Sequence, residues 1–154
     1  YGMAIAKSPD IKSISILSKM LNGVIEELKL HESYAEKWGV NIQKSSLNLA
    51  TEAYTDFLNK TTEVGSMVEI ISAMTPCMRL YAWIGKLLKE KNIVNTNPYK
   101  EWIDTYSDED FEKLASTLEK LIDSYYTNNK IRRLRLLYNN AMKLELSFFK
   151  AYSP

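Results

Sequence analysis

The stretch Glu69-Ile70-Ile71-Ser72-Ala73-Met74-Thr75-Pro76-Cys77-Met78-Arg79-Leu80-Tyr81-Ala82-Trp83 decides how the chain is read. It has the apolar spacing of a helix, yet a proline and then the chain's only cysteine stand at its middle. A proline there removes one amide donor and pushes away the carbonyl of Ser72, four residues back, at a cost of about 3 kcal/mol in an ordinary helix interior. A kink at this point would open a pocket beside Cys77, with Tyr81 one turn further on the same face. Taken alone, the stretch fits more simply a small buried cysteine beside a structural kink.

Outward from this helix, expected over about Ser66 to Lys91, every other segment also reads as helical. Upstream, Gly65 ends a helix over about 48–63 that carries Leu49, Ala50, Tyr54, Phe57 and Leu58. Before it, Ser8 as N-cap, Pro9 at the first helical position and Asp10 in the first turn open a long helix. Its apolar stripe of Ile11, Ile14, Leu17, Leu21, Val24, Ile25, Leu28, Ala35 and Trp38 runs to a stop at Gly39. Residues 1–7 read as the end of an earlier helix or a frayed start. Downstream, the Asn92 to Asn97 turn ends the central helix, and Asn97-Pro98 starts a short one over Tyr99 to Thr105. Ser107 caps the next, with Asp108, Glu109 and Asp110 in its first turn and Phe111, Leu114, Ala115, Leu118, Leu121, Ile122 and Tyr125 inward. A last helix spans about Asn129 to Tyr152. With no β-alternating run and no internal repeat, the expectation is an all-α single domain over 1–154, with about six helices.

At 154 residues, 45% hydrophobic and 25% charged, the chain can bury a real core. Lys plus Arg (20) against Asp plus Glu (19) gives a net charge of +1, which makes no electrostatic case for nucleic acid or an anionic membrane surface. One Cys excludes an internal disulfide, and one Cys with one His cannot build a usual zinc site, so a reducing, cytoplasmic setting is the default expectation. No apolar run approaches a membrane span. Ten tyrosines, several inside helical patterns, suggest a polar-lined cavity, because buried hydroxyls need partners.

Chemistry in such a chain must come from Cys77, a carboxylate and the tyrosines, since it has no phosphate-binding loop, dinucleotide glycine fingerprint, HExxH or serine elbow. In the last helix Leu134, Tyr138, Ala141, Glu145, Phe148 and Tyr152 step by 4, 3, 4, 3 and 4, which puts Glu145 in the inward stripe. A carboxylate held there either has its pKa raised toward a proton-transfer role or pairs structurally with a tyrosine hydroxyl or an arginine. Glu27 and His31, at i and i+4 with Glu32 beside them, fit a solvated or core-satisfied helix-face pair better than a catalytic base. Lys130, Arg132, Arg133 and Arg135 fit a solvated basic face that pairs with the acidic turn 108–110 or a neighbouring subunit.

Four ordered blocks resemble the TenA (thiaminase II) family: Ala53-Tyr54-Thr55-Asp56-Phe57-Leu58; Pro76-Cys77 with Tyr81 and Gly85; Pro98-Tyr99-Lys100-Glu101-Trp102-Ile103-Asp104-Thr105-Tyr106; and Glu145-Leu146-Ser147-Phe148-Phe149. The match runs from about Gly2 to the C-terminus, and Cys77 places it with the cysteine-containing branch. The resemblance implies a haem-oxygenase-like helical bundle, usually a homotetramer, with no metal or organic cofactor. It implies hydrolysis of thiamine or of 4-amino-5-aminomethyl-2-methylpyrimidine in thiamine salvage. On that resemblance Cys77 adds to the pyrimidine ring, Glu145 moves protons, Tyr54, Tyr81 and Tyr106 line the pocket, and Phe148 lies against the substrate. Thiol chemistry discriminates: an activated Cys77 would react with iodoacetamide well below pH 8, and an inert core cysteine would not. Family members carry further helices before this point, including an acidic residue on the aminopyrimidine edge, so the chain is expected to be a fragment or a shortened relative. The competing expectation is a non-catalytic pyrimidine-binding or assembly protein.

Overall fold

The computed structural model describes residues 1–91 and 97–152. Among the described residues there are seven α-helices, one 3-10 turn and no strand. In order they are α1 (Gly2–Ala6), α2 (Ile11–Lys37), the turn Ile42–Lys44, α3 (Leu49–Val64), α4 (Met67–Glu90), α5 (Lys100–Tyr106), α6 (Glu109–Tyr125) and α7 (Ile131–Ala151). The helix beyond the expected six is α1, formed by the segment whose state the sequence left open.

α4 is the axle of the bundle and packs against α7, α6, α5, α3 and α1. Met67, Val68, Ile70, Ile71, Ala73 and Ala82 are all buried, as befits a helix that is apolar on nearly every side. Its start is fixed by a capping box in which Glu69 accepts from the Ser66 amide at 2.8 Å and the Ser66 hydroxyl at 2.6 Å. The helix continues through the buried Pro76 to Glu90. One turn earlier, the Ser72 hydroxyl donates to the Leu134 carbonyl of α7 at 2.9 Å, so the proline turn is tied to its neighbour.

Three contacts lock other helices to this axle. Arg79 grips α6, its Nε and Nη2 each 2.7 Å from the Glu119 carboxylate and its Nη1 2.6 Å from Glu112. Lys7 donates to the carbonyls of Thr62, Glu63 and Gly65 at 2.6, 3.0 and 2.9 Å, which satisfies the open C-terminal end of α3. At Gly85 an added Cβ would lie 2.5 Å from the Tyr106 carbonyl carbon and 2.7 Å from the Ser107 nitrogen. Only glycine lets the end of α5 come this close to α4.

Several local expectations are corrected. Asp10, not Ser8, caps α2 and accepts from the Ser13 amide at 2.8 Å, while the Ser8 hydroxyl bonds back to Ala4 at the end of α1. A carboxylate is the better acceptor for orphan amides, and it shifts the helix start past Pro9. The same preference makes Asp108 rather than Ser107 the cap of α6. Tyr99 holds the cap position of α5, and the Asn97 side chain accepts from the Tyr99 amide at 2.9 Å. Of the asparagine turn, 92–96 lies outside the described residues.

The stripe of α2 is only half buried. Leu17 is buried but Ile11 (78% exposed), Ile25 (46%), Leu28 (56%) and Trp38 (51%) are not. The helix rests on α1 and α6 and buries Ser13, Met20 and Tyr34 instead, leaving its far side open. On α7, Leu137 is buried with Leu134, Ala141 and Glu145, while Tyr152 is exposed. Arg133 pairs with Glu69 at 3.4 Å and not with the 108–110 turn, where Asp110 holds Lys113 at 2.6 Å.

Candidate active site

A cavity of about 540 Å³ opens where α2, α3, α4 and α5 meet. Cys77 and Tyr81 from α4, Tyr54 from α3 and Tyr106 from α5 line it. Cys77 and Tyr81 share a wall because they are one helical turn apart. Glu145 of α7 stands beyond Tyr54, 2% exposed, and accepts the Tyr54 hydroxyl at 2.8 Å. Cys77 stands close enough to feel its charge. Phe148 lies on the next turn of α7, against the rings of Phe149 (6.1 Å) and Tyr152 (5.3 Å), and is not among the residues lining the cavity.

The tyrosine rings are braced by aromatic neighbours. Tyr81 meets Tyr106 edge-on at 5.2 Å and leans on Trp102 and Phe149 at 5.6 and 5.8 Å, while Tyr106 meets Phe111 at 4.8 Å. The close Gly85 contact places Tyr106 within this group.

The electrostatics of the site follow from burial. Burial pushes the Glu145 carboxyl above its ordinary value, against the opposing pull of the Tyr54 and Cys77 hydrogen bonds. Burial also pushes the Cys77 thiol well up, with the charge and hydrogen bond of Glu145 and the charge of Glu27 adding to it. Tyr54, Tyr81 and Tyr106 are all raised, burial first, so they remain protonated donors. In the resting protein Cys77 is therefore a neutral thiol near a carboxylate. Burial and the charges of Glu145 and Glu27 all favour the thiol over a preformed thiolate, and Glu145 is the base beside it.

Sequence reasoning passed over the α2 wall. Glu27 and His31 both line the cavity rather than a plain helix surface. Glu27 accepts a short hydrogen bond from the Tyr106 hydroxyl and lies 3.9 Å from His31 Nε2. The signal was present: Met20, Val24, Glu27 and His31, all on this wall, step by 4, 3 and 4. Tyr1 also reaches the cavity and donates to the Met78 sulfur at 3.2 Å. Among the described residues no cluster of His, Cys, Asp or Glu could hold a metal ion, and no helix is long and apolar enough to cross a membrane.

The chain is an all-α bundle in which Cys77, Tyr54, Tyr81 and Tyr106 line one cavity and the buried Glu145 stands beyond Tyr54. Residues 1–153 match the TENA/THI-4/PQQC family, and the chain belongs to it. It is 35% identical to the mitochondrial bifunctional TH2 protein of Arabidopsis thaliana, over 98% of this chain and 28% of that protein. It is 27% identical to the aminopyrimidine aminohydrolase of Halalkalibacterium halodurans, over 97% of this chain and 70% of that one. The chain thus spans just over a quarter of the first of these relatives and about two thirds of the second. A TenA family protein from Silicibacter sp. TM1040 superposes with a TM-score of 0.89 at 24% identity, over 97% of this chain and 72% of that one. The fold is the haem-oxygenase-like helical bundle of the TenA proteins.

Proposed function

We propose that the chain is a single TenA-like catalytic domain that hydrolyses thiamine-related aminopyrimidines, acting as a thiaminase II-type enzyme. The observation that carries this is the convergence of Cys77 on the cavity wall with Glu145, which is buried beyond Tyr54 and close enough to raise the thiol by its charge. The flat, electron-poor ring of 4-amino-5-aminomethyl-2-methylpyrimidine suits the aromatic walls, and a cavity of about 540 Å³ is in the range of small-molecule sites.

As the Cys77 sulfur bonds to a ring carbon conjugated with the exocyclic methylene, its proton passes to Glu145. Electrons displaced into the ring then expel the amine, the C–N bond breaks, and Glu145 hands its proton to the departing nitrogen. Water next bonds to the methylene and gives a proton to Glu145. The C–S bond breaks, and the proton returns to sulfur. The products are the hydroxymethylpyrimidine and ammonia, and both residues are restored. Tyr54 holds Glu145 in place, and Tyr81 and Tyr106 orient the ring. Phe148, on the turn of α7 after Glu145, lies against the substrate from the α7 side. No cofactor enters this scheme.

The same reading makes the chain a homotetramer in a reducing compartment such as the cytoplasm, with apolar α2 surface at Ile25 and Leu28 available for contact. The test is hydrolysis of the aminomethyl compound and of thiamine, read by mass spectrometry, beside Cys77→Ser and Glu145→Gln. Turnover lost in both variants supports the enzyme. A folded wild-type protein without turnover would instead support the non-catalytic, pyrimidine-binding alternative.

A further inference from the structure

The wall that α2 contributes has a charge pattern that the proton-transfer scheme does not use. Among the described residues no lysine or arginine lines the cavity, whereas Glu26 and Glu27 do and Glu145 stands just beyond. Glu26 is occupied by Lys29 at 2.8 Å on the open side of the helix. Glu27 has no such partner among the described residues. One of its oxygens accepts from Tyr106 and lies 3.9 Å from His31 Nε2. Its side chain is 34% exposed, so it sits at the rim rather than in the core. Its field still reaches inward, adding to the rise at Cys77, Tyr81 and Tyr106. Apolar walls around a carboxylate that no lysine or arginine among the described residues pairs with strengthen its attraction for a cation and its repulsion of an anion.

We propose that Glu27 makes the cavity selective for a positively charged ligand. Resting on the function proposed above, this means a pyrimidine whose departing substituent is an ammonium or a quaternary ring nitrogen, in preference to the neutral amide of the same amine or an anionic phosphate ester. Tyr106 is the positioning residue: its hydrogen bond fixes one oxygen of Glu27 and leaves the other for the ligand. Glu27 acts on the substrate as it binds: the ammonium gives one proton to water before the C–N bond breaks, and Glu145 then supplies the proton with which the nitrogen leaves as ammonia.

The test compares wild type and Glu27→Gln on the aminomethylpyrimidine and on its N-acetyl derivative. Glutamine keeps an acceptor for Tyr106 and removes only the charge, and circular dichroism confirms that the variant is folded. The expected result is a fall in kcat/KM of about tenfold or more for the ammonium substrate, with the neutral amide changed by less than about twofold. An equal fall for both compounds, or none for the ammonium, overturns the proposal. If wild type turns over neither compound, the catalytic reading fails, and the selector is judged by binding of benzylammonium against benzyl alcohol. A preference for the cation that Glu27→Gln abolishes upholds it, and equal affinities overturn it.

Discussion

The Tyr54 hydroxyl meets the Glu145 carboxylate at 2.8 Å, joining α3 to α7 across 91 positions of sequence. Glu145 thereby has a fixed direction and a donor that eases its charged form. It is still held above the ordinary carboxylate range, because burial outweighs the two hydrogen bonds it receives.

Tyr54→Phe removes a hydrogen bond that lowers the Glu145 pKa. The carboxylate form, which must accept the thiol proton, then appears only at higher pH. The acid limb of the kcat/KM profile is expected to move upward in the variant, with a loss of about tenfold or more at neutral pH. Profiles with an unmoved acid limb would show that Tyr54 does not set the state of Glu145.

Glu145→Gln is expected to abolish turnover while stabilising the fold at pH 8. The folded-state pKa is raised, so the native protein favours the proton, and stability is lost as pH rises through the folded value. A neutral isostere removes that loss, worth about 1 kcal/mol. Thermal melts should separate variant from wild type at pH 8 and converge toward pH 3, below the ordinary value of 4.5, where Glu145 is protonated in both states. Alkylation offers a second readout: without the Glu145 charge the Cys77 thiol titrates lower, so iodoacetamide should label the variant at lower pH than wild type.

Gly85→Ala would push a methyl group into the Tyr106–Ser107 backbone. The expected cost is about 1–3 kcal/mol in chemical denaturation, together with a fall in kcat/KM as Tyr106 is displaced. A variant as stable and as active as wild type would mean that α5 is free to retreat.

These outcomes bear on how much could be read from the chain. The helices were legible because their stops and starts are chemically blunt: the Ser66–Glu69 capping box, Gly39 at a positive φ of 66°, and the acidic first turn of α6. The meeting of Tyr54, Cys77 and Glu145 was indicated by inward spacing and family resemblance together. Glu27 was not, because a Glu and a His at i and i+4 look the same on a wet surface as on a cavity wall. Burial of the α2 stripe was equally hidden: Ile25 and Leu28 have helical spacing, but what packs on that face is a tertiary fact. The caps at Asp10 and Asp108 were missed where a serine stood within two residues of a carboxylate and only geometry could choose.

Arg79→Met breaks the clamp between α4 and α6 and leaves Glu112 and Glu119 facing each other with only Lys86, at 2.8 Å from Glu112. A loss of about 1–2 kcal/mol is expected, modest because these groups are partly exposed. Lys86 and Arg79 hold the Glu112 carboxyl down at about 2, so its contribution is present above the ordinary value near 4.5 and is lost as pH falls toward 2. The difference in stability between wild type and variant should therefore be larger at pH 7 than at pH 3. A gap independent of pH would assign the effect to packing of the arginine stem.

The most direct test of the central claim is peptide mapping by mass spectrometry after rapid acid quench of the wild-type protein turning over the aminomethylpyrimidine. The account predicts a fraction of the Cys77 peptide carrying the pyrimidinylmethyl fragment, absent from Cys77→Ser, which forms no product. Product formed at the wild-type rate by Cys77→Ser, with no peptide carrying the fragment, would contradict it.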